Sequence, residues 1–465
     1  MNTNSRFLSA SRLVAAAPLA ALAAALVLGA CTNIDDRLLA VQTPDIVGDE
    51  TAESPAGAQA FYTAAVGDFS RFVGGDRAGG SPLGLALTGG LLADEIFSAR
   101  AGTEHIDDRQ INSSGNFMDT WTQVGNTYTR IVRAVHLLNR FPPASGGPTQ
   151  FATLHAYEGF VLTITAENYC NGIPLWDGKD ELNIATTTMS TTDLYTAAIA
   201  QFDSALTLIG TSDQTIRNTI LVGKARALVN MANAGGLSTN FSQAAALVAP
   251  VPTNFVLNTL FSKSTAGVVN AMYDWMSGTR NFGASDKEGG NGLDFVSSKD
   301  PRVKIDGTKI LRGQDGSNVP TFLQYTSTDA QVAIATGIEA RLIEAESQLA
   351  AGNTAAFLAT LNALRASPQS YGTVTTTAMT ALTDPGTADG RVDMLFRERA
   401  FWMYITAHRL GDMRRLVRQY GRATEKVFPT GSYFKGGAYG TDVTLVPLQA
   451  ETNNPNWSAC TDRNP

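Results

Sequence analysis

The stretch DMLFRERAFWMYITAHRLGDMRRLVRQYG, Asp393 to Gly421, decides how the rest of the chain is read. Its apolar and aromatic positions recur at helical spacing. Arg397, Arg399, Arg409, Arg414, Arg415 and Arg418 are threaded between Glu398, Asp412 and core-type aromatics. So many arginines could serve an anionic ligand. Their interleaving with acids and rings instead suits ion pairs that lock the last helices together.

Upstream, the pattern predicts a helical hairpin at Asp329–Ala350 and Thr354–Ala366, joined by Gly352-Asn353. A similar pair is predicted earlier: a helix capped at Thr192-Asp193 and running through Leu208, then one from about Asp213 to Ala234, stopped by Gly235-Gly236. Helices are also expected over Gln59–Phe72, Phe117–Phe141 and Phe151–Tyr169. Trp121 and Phe117 fall on the apolar stripe of the second. Paired helices with short Gly/Asn turns predict an all-α, tetratricopeptide-like frame with few short strands. Two stretches rich in Gly, Ser, Asn and Asp, about 236–328 and 367–390, read as long irregular insertions, the usual home of binding groups.

The N-terminus reads as a lipoprotein signal. Arg6 and Arg12 precede the apolar run Leu13–Leu28, which closes on Leu28-Gly29-Ala30-Cys31. The run is shorter than the ~20 residues that span a bilayer. Residues 1–30 are therefore expected to be cleaved and Cys31 to carry acyl chains, with 31–57 as a polar tether. The alternative is an ordinary secretory signal beside an incidental cysteine. Thr32, in place of an aspartate, favours the outer membrane, and Asp35-Asp36 resemble a surface-export signal. The removed segment holds two arginines and no acid, so the mature chain is more negative than the net −7 of the whole. That argues against nucleic acid as a partner. Cys170 and Cys460 then remain, and outside the cytoplasm they are a disulfide candidate, the alternative being two unrelated buried thiols.

His105, His136, His155 and His408 have no zinc-ligand spacing, and neither a nucleophile elbow nor a phosphate loop occurs, so no metal, cofactor or catalytic residue is assigned. Asp94-Glu95 and Asp107-Asp108 could supply an acid/base pair for glycoside hydrolysis; the plainer expectation is that they cap turns or pair with Arg100 and Arg109. For ligand binding, the insertion offers Tyr273, Trp275 and Phe282 beside Asp274, Arg280 and Asn281. Flat rings suit the apolar faces of sugars while Arg and Asn bond hydroxyls. The competing reading has Tyr273 and Trp275 finishing a helix begun near Val268 and packing inward.

With these residues in view, Asp393–Gly421 resembles the C-terminal signature of SusD/RagB-type nutrient-binding lipoproteins: Arg397-Glu398, Phe401, His408-Arg409 and Asp412-Met413-Arg414-Arg415 stand at its places. Thr406-Ala407 replaces the usual Glu-Gly, and Leu410 the usual aromatic, which marks a divergent branch. Ala340–Glu346 with Gly352-Asn353 and Leu361–Arg365 is similar to the family's penultimate hairpin, and Asp300-Pro301-Arg302 to its turn. Tyr128–Leu137, Gly172–Leu175, and Val446-Pro447-Leu448 with Glu451 and Asn454–Asn456 resemble other family segments, in the right order. The resemblance implies a surface-facing outer-membrane protein that captures an oligosaccharide, or a peptide, and delivers it to a SusC-like TonB-dependent barrel without breaking a bond. The alternatives are a helical-repeat scaffold of the cell envelope and a glycan-degrading enzyme.

Overall fold

Several helices begin at a side-chain cap. In the structure, a computed structural model, the described residues are 53–75, 83–111, 119–175, 188–232, 239–263 and 268–465. The signal segment, Cys31 with its neighbours Thr32 and Asp35-Asp36, the tether to residue 52, Phe117 and Gly235-Gly236 lie outside them. Helices run over α1 Pro55–Gly74, α2 Leu85–Leu92, α3 Asp119–Arg140, α4 Gly147–Asn168, α5 Thr191–Ile209, α6 Gln214–Met231, α7 Thr239–Val248, α8 Gly337–Ala350, α9 Thr354–Ala366, α10 Ala388–Trp402 and α11 Arg409–Arg418. Ser190 and Asp193 form a reciprocal capping box on α5, and Asp213 caps α6 by accepting from the Thr215 and Ile216 N–H groups. Asn353 caps α9 after Gly352, which turns with φ 72°.

From α3 to α9 each helix packs on the next in sequence, and the step from α7 to α8 passes over the chain between them. Phe202 of α5 fixes one such contact. A Cβ on Gly159 of α4 would meet its ring at 2.7 Å, and one on Gly223 of α6 at 2.6 Å, so both glycines are needed for the close approach. The architecture is helix-dominated with small two-stranded sheets, and residues 58–465 form one unit. No helix among the described residues is long and apolar enough to cross a membrane.

Two expectations need correction. The helix expected from Asp329 starts at Gly337, because Ala333–Thr336 is a strand paired with Val256–Asn258. The composition of 236–328 hid α7, which packs on α6 and α8. The Asp393–Gly421 stretch forms two helices: the chain breaks at Met403–His408, where Ile405 (φ 54°) and Ala407 (φ 62°) take left-handed backbone.

The arginines of this stretch are structural. Arg409 grips Asp94, and Arg415 bridges Glu346 and Asp412, while Arg399 also holds Asp412. Burial pushes the Asp412 carboxyl up, but Arg399 and Arg415 outweigh it and hold it well below the usual carboxylate range. Arg302 spans Asp300 and Glu398, and Arg226 of α6 makes two bonds to Glu167 of α4. Cys170 and Cys460 are joined by a disulfide with Cα atoms 5.9 Å apart. Around it Thr461 N–H donates to the Asn171 carbonyl and Trp457 Nε1 to that of Gly172, tying the end of the chain to the turn after α4.

Candidate functional site: an aromatic cleft

Strand Ile96–Ser98 leaves α2 buried, with Ile96 and Ser98 facing in and Phe97 facing out, as the two-residue period of a strand requires. It pairs antiparallel with Phe282–Ala284, setting Phe97 opposite Gly283. A Cβ on Gly283 would fall 2.4 Å from the Phe97 ring, so glycine allows the ring to lie across the strand. Phe434 stands edge-on to Phe97, with centroids 5.4 Å apart and planes at 82°, and is 54% exposed. The Lys435 ammonium sits 5.6 Å from the Phe434 ring centre. A second wall is Ser285–Gly289. The third is the hairpin Ile305–Arg312 with Asn318–Phe322, which contributes Asn318 and Pro320.

These walls enclose a cleft of about 480 Å³. Beside it lies a second, of about 450 Å³, bordered by Glu104, Asp108, Asp315, Tyr433 and Lys435; Ser317 lines both. Both fall in the ordinary range for small-ligand sites. Another cavity, about 260 Å³, lies among Asn171, Tyr195, Asn230, Arg418 and Asp462, and its one ring, Tyr195, is buried.

Under the aromatic cleft lie two carboxyls. Asp107 Oδ2 accepts from the Ser98 N–H and the Tyr433 hydroxyl, both at 2.7 Å. Glu288 accepts from the Ser285 hydroxyl at 2.5 Å and the Tyr439 hydroxyl at 3.0 Å. Burial pushes Asp107 up to about 6; burial, then the Asp107 charge beside it, drive Glu288 well above the usual range. Burial and the same acids raise the Tyr433 and Tyr439 hydroxyls too. Both carboxyls are buried and accept from protein donors, an arrangement that ties these loops together.

The residues expected from sequence lie one layer beneath. Trp275 and Phe282 are buried with centroids 6.2 Å apart, and the Arg100 guanidinium covers the Trp275 ring at 5.3 Å. Buried rings present no face to a sugar, so these two are support. Tyr273 is half-buried against the core. Arg280 (φ 58°) donates from Nε to the Arg312 carbonyl at 3.0 Å and holds the hairpin; Asn281 accepts the Ala99 N–H through its carbonyl. Asp94 pairs with Arg409 rather than Arg100, and also accepts the Leu293 N–H. Glu95 is buried, pushed up to about 8 by burial, and accepts the Ile405 N–H. Arg109 does not pair with Asp107 but donates to the Pro429 and Asp442 carbonyls. Among the described residues no group of acids, histidines or cysteines could hold a metal ion. Phe97, Phe434 and Tyr439 were missed. Adjacent aromatics set among glycines, Gly431-Ser432-Tyr433-Phe434-Lys435-Gly436-Gly437, were the available signal.

The described residues thus form a helical frame that carries an aromatic cleft. No protein-family model matches the chain, and no curated protein matches it. Solved structures do. B. fragilis NanU aligns at TM-score 0.65 over 91% of this chain and all of its own, at 11% identity. A SusD superfamily protein from Parabacteroides distasonis aligns at 0.61 over 86% and 98%, at 12% identity. A SusD-like carbohydrate binding protein from Bacteroides vulgatus aligns at 0.57 over 77% and 83%, also at 12%. The chain has the SusD-like fold.

Proposed function

We propose that this chain is a divergent SusD/RagB family member that binds a glycan in the cleft between Phe97, Phe434 and Tyr439. The observation that carries this is the exposed Phe434 ring, edge-on to Phe97, above a cleft whose remaining walls offer Asn318, Ser317, Asp286 and Lys287 to hydroxyls. A ring open on one face suits the C–H surface of a sugar. The description of the Bacteroides vulgatus neighbour as carbohydrate binding supports the ligand class. The 236–328 insertion supplies Ser285–Gly289, Asn318 and Pro320 to the cleft, and segments outside it supply Phe97, Phe434 and Tyr439.

The lipobox at Cys31 supports anchoring by lipid at the outer membrane. With the fold, it supports delivery of the captured glycan to a SusC-like TonB-dependent barrel, without catalysis. Isothermal titration against amylopectin, inulin, xylan, galactan and a mixed peptide pool tests capture. Binding of a glycan that Phe434→Ala weakens at least tenfold, with unfolding unchanged, is the expected result. Binding confined to peptide redirects the ligand class, and no binding to any probe removes the reading. A mild-detergent pull-down from native membranes tests the barrel: recovery of unrelated envelope proteins instead would favour a scaffold.

A further inference from the structure

The cavity of about 260 Å³ shares no lining residue with either cleft. Its walls are the first turn of α5, the ends of α6 and α11, and the segment after Cys460, which the disulfide ties to the turn after α4. Two arginines of α11 stand outside the ion-pair seam here. In the Asp393–Gly421 stretch Arg397 holds Asp294, Arg399 and Arg415 hold Asp412, Arg415 also holds Glu346, and Arg409 holds Asp94. Arg414 and Arg418, one helical turn apart, form no ion pair with any described residue. Arg414 is 2% exposed; its Nη1 donates to the Ala166 carbonyl at 2.8 Å, and its Nε has no partner. Arg418 borders the cavity and donates from Nη2 to the Asn230 carbonyl at 2.7 Å. Like charges at this spacing repel, so the two favour an anion beside them.

Tyr195 lines the same cavity at 2% exposure, and its hydroxyl bonds no described residue. The charges of both arginines reach that hydroxyl. A hydroxyl buried without a partner costs stability, and a ligand oxygen beside it restores the bond. The acids nearby are engaged elsewhere. Glu167 accepts from Arg226 and Asn230, and Asp462 from Asn171 Nδ2 and the Asn464 N–H. Asp462 and Pro465 both border the cavity, and neither pairs with Arg418.

We propose that this cavity is a second binding site, which takes a small, singly charged carboxylate bearing hydroxyl groups. The planar Arg418 fork matches the edge of a carboxylate, and the Tyr195 hydroxyl donates to the same group. Thr191 and Thr192 stand in the first turn of α5, whose N-terminal end adds favourable partial charge. Asp462 accepts from the ligand's hydroxyls and repels a second negative charge, so a monoanion is preferred to a dianion. The volume falls just under the ordinary range for small-ligand sites, which limits the occupant to about one sugar unit. The site needs nothing from the aromatic cleft.

Isothermal titration of the full chain at neutral pH with D-galacturonate, D-galactose and hydrogen phosphate tests this. The two sugars differ by the carboxylate, so galacturonate should bind and galactose should not; phosphate should bind more weakly than galacturonate. Arg418→Gln should weaken galacturonate binding about tenfold or more, the worth of a charge-assisted bond. Tyr195→Phe, which keeps the ring and removes the hydroxyl, should weaken it about three- to tenfold with the urea midpoint nearly unchanged. Phe434→Ala should leave it as in wild type. Should Arg418→Gln fail to fold, Tyr195→Phe decides. Absence of saturable galacturonate binding overturns the site, as does binding that Phe434→Ala abolishes and Tyr195→Phe leaves intact. Tighter binding of phosphate overturns the carboxylate assignment. Glycan capture stands or falls separately, on Phe434.

Discussion

Arg409 meets Asp94 through two charge-assisted bonds, Nε to Oδ1 at 2.6 Å and Nη2 to Oδ2 at 2.9 Å, between residues 315 positions apart and both buried. The start of the body and its last long helix are thereby held side by side. Removing one partner strands the other charge in a site without water, which costs about 3–5 kcal/mol. Arg409→Ala should lower unfolding stability by that amount in urea titration. Replacing both, as Asp94→Leu with Arg409→Met, should cost much less. Equal losses in single and double variants would mean that packing, not the stranded charge, sets the cost.

Ala407 takes φ 62°, the backbone that favours glycine, at the position where the SusD/RagB signature usually has Gly. A side chain there costs about 1–2 kcal/mol, partly offset because glycine is freer when unfolded. Ala407→Gly is therefore expected to stabilise by about 0.5–1 kcal/mol. A destabilised variant would show that contacts of the alanine methyl outweigh the backbone strain.

Trp275 and Phe434 should separate cleanly. Trp275→Ala removes a buried ring packed on Phe282 and Arg100 and should cost about 3–5 kcal/mol of stability. Phe434→Ala, at an exposed ring, should leave the unfolding midpoint nearly unchanged while weakening glycan binding. Unfolding curves of the two variants, recorded beside glycan titrations, check both halves.

The Cys170–Cys460 bridge closes a loop with a sequence separation of 290. Cross-linking so much chain removes freedom from the unfolded state, and its loss should cost about 2–5 kcal/mol. The urea midpoint of Cys170→Ser/Cys460→Ser, set against wild type with and without reductant, measures it. Reductant should shift wild type toward the variant and leave the variant where it is.

Local signals made much of the frame legible. The Asn353 cap and the Gly352 turn gave α9 its bounds, and the alternation of arginine with acid in Asp393–Gly421 pointed to internal ion pairs. Short apolar runs misled. Val332-Ala333-Ile334-Ala335 suits either helix or strand, and pairing with Val256–Asn258, far off in the chain, decided for strand. The cleft was hidden for the same reason. Its walls come from Phe97, Ser285–Gly289, Asn318 and Phe434, which strand pairing and packing alone bring together. Trp275 and Phe282 were conspicuous because they are neighbours in sequence. That nearness is also why they could pack on each other beneath the site.

The hairpin Ile305–Arg312 with Asn318–Phe322 buries Val319 and Phe322, and its outer end is held through backbone: the Arg312 carbonyl takes Arg280, and the Asp315 N–H bonds the Ala99 carbonyl. Attachments of that kind do not depend on which side chains the hairpin carries. The exposed residues it offers the cleft can thus be rewritten by mutation while Val319, Phe322 and the arginine seam stay untouched. A lineage could move from one nutrient to another by altering this short ribbon, keeping the scaffold it inherited.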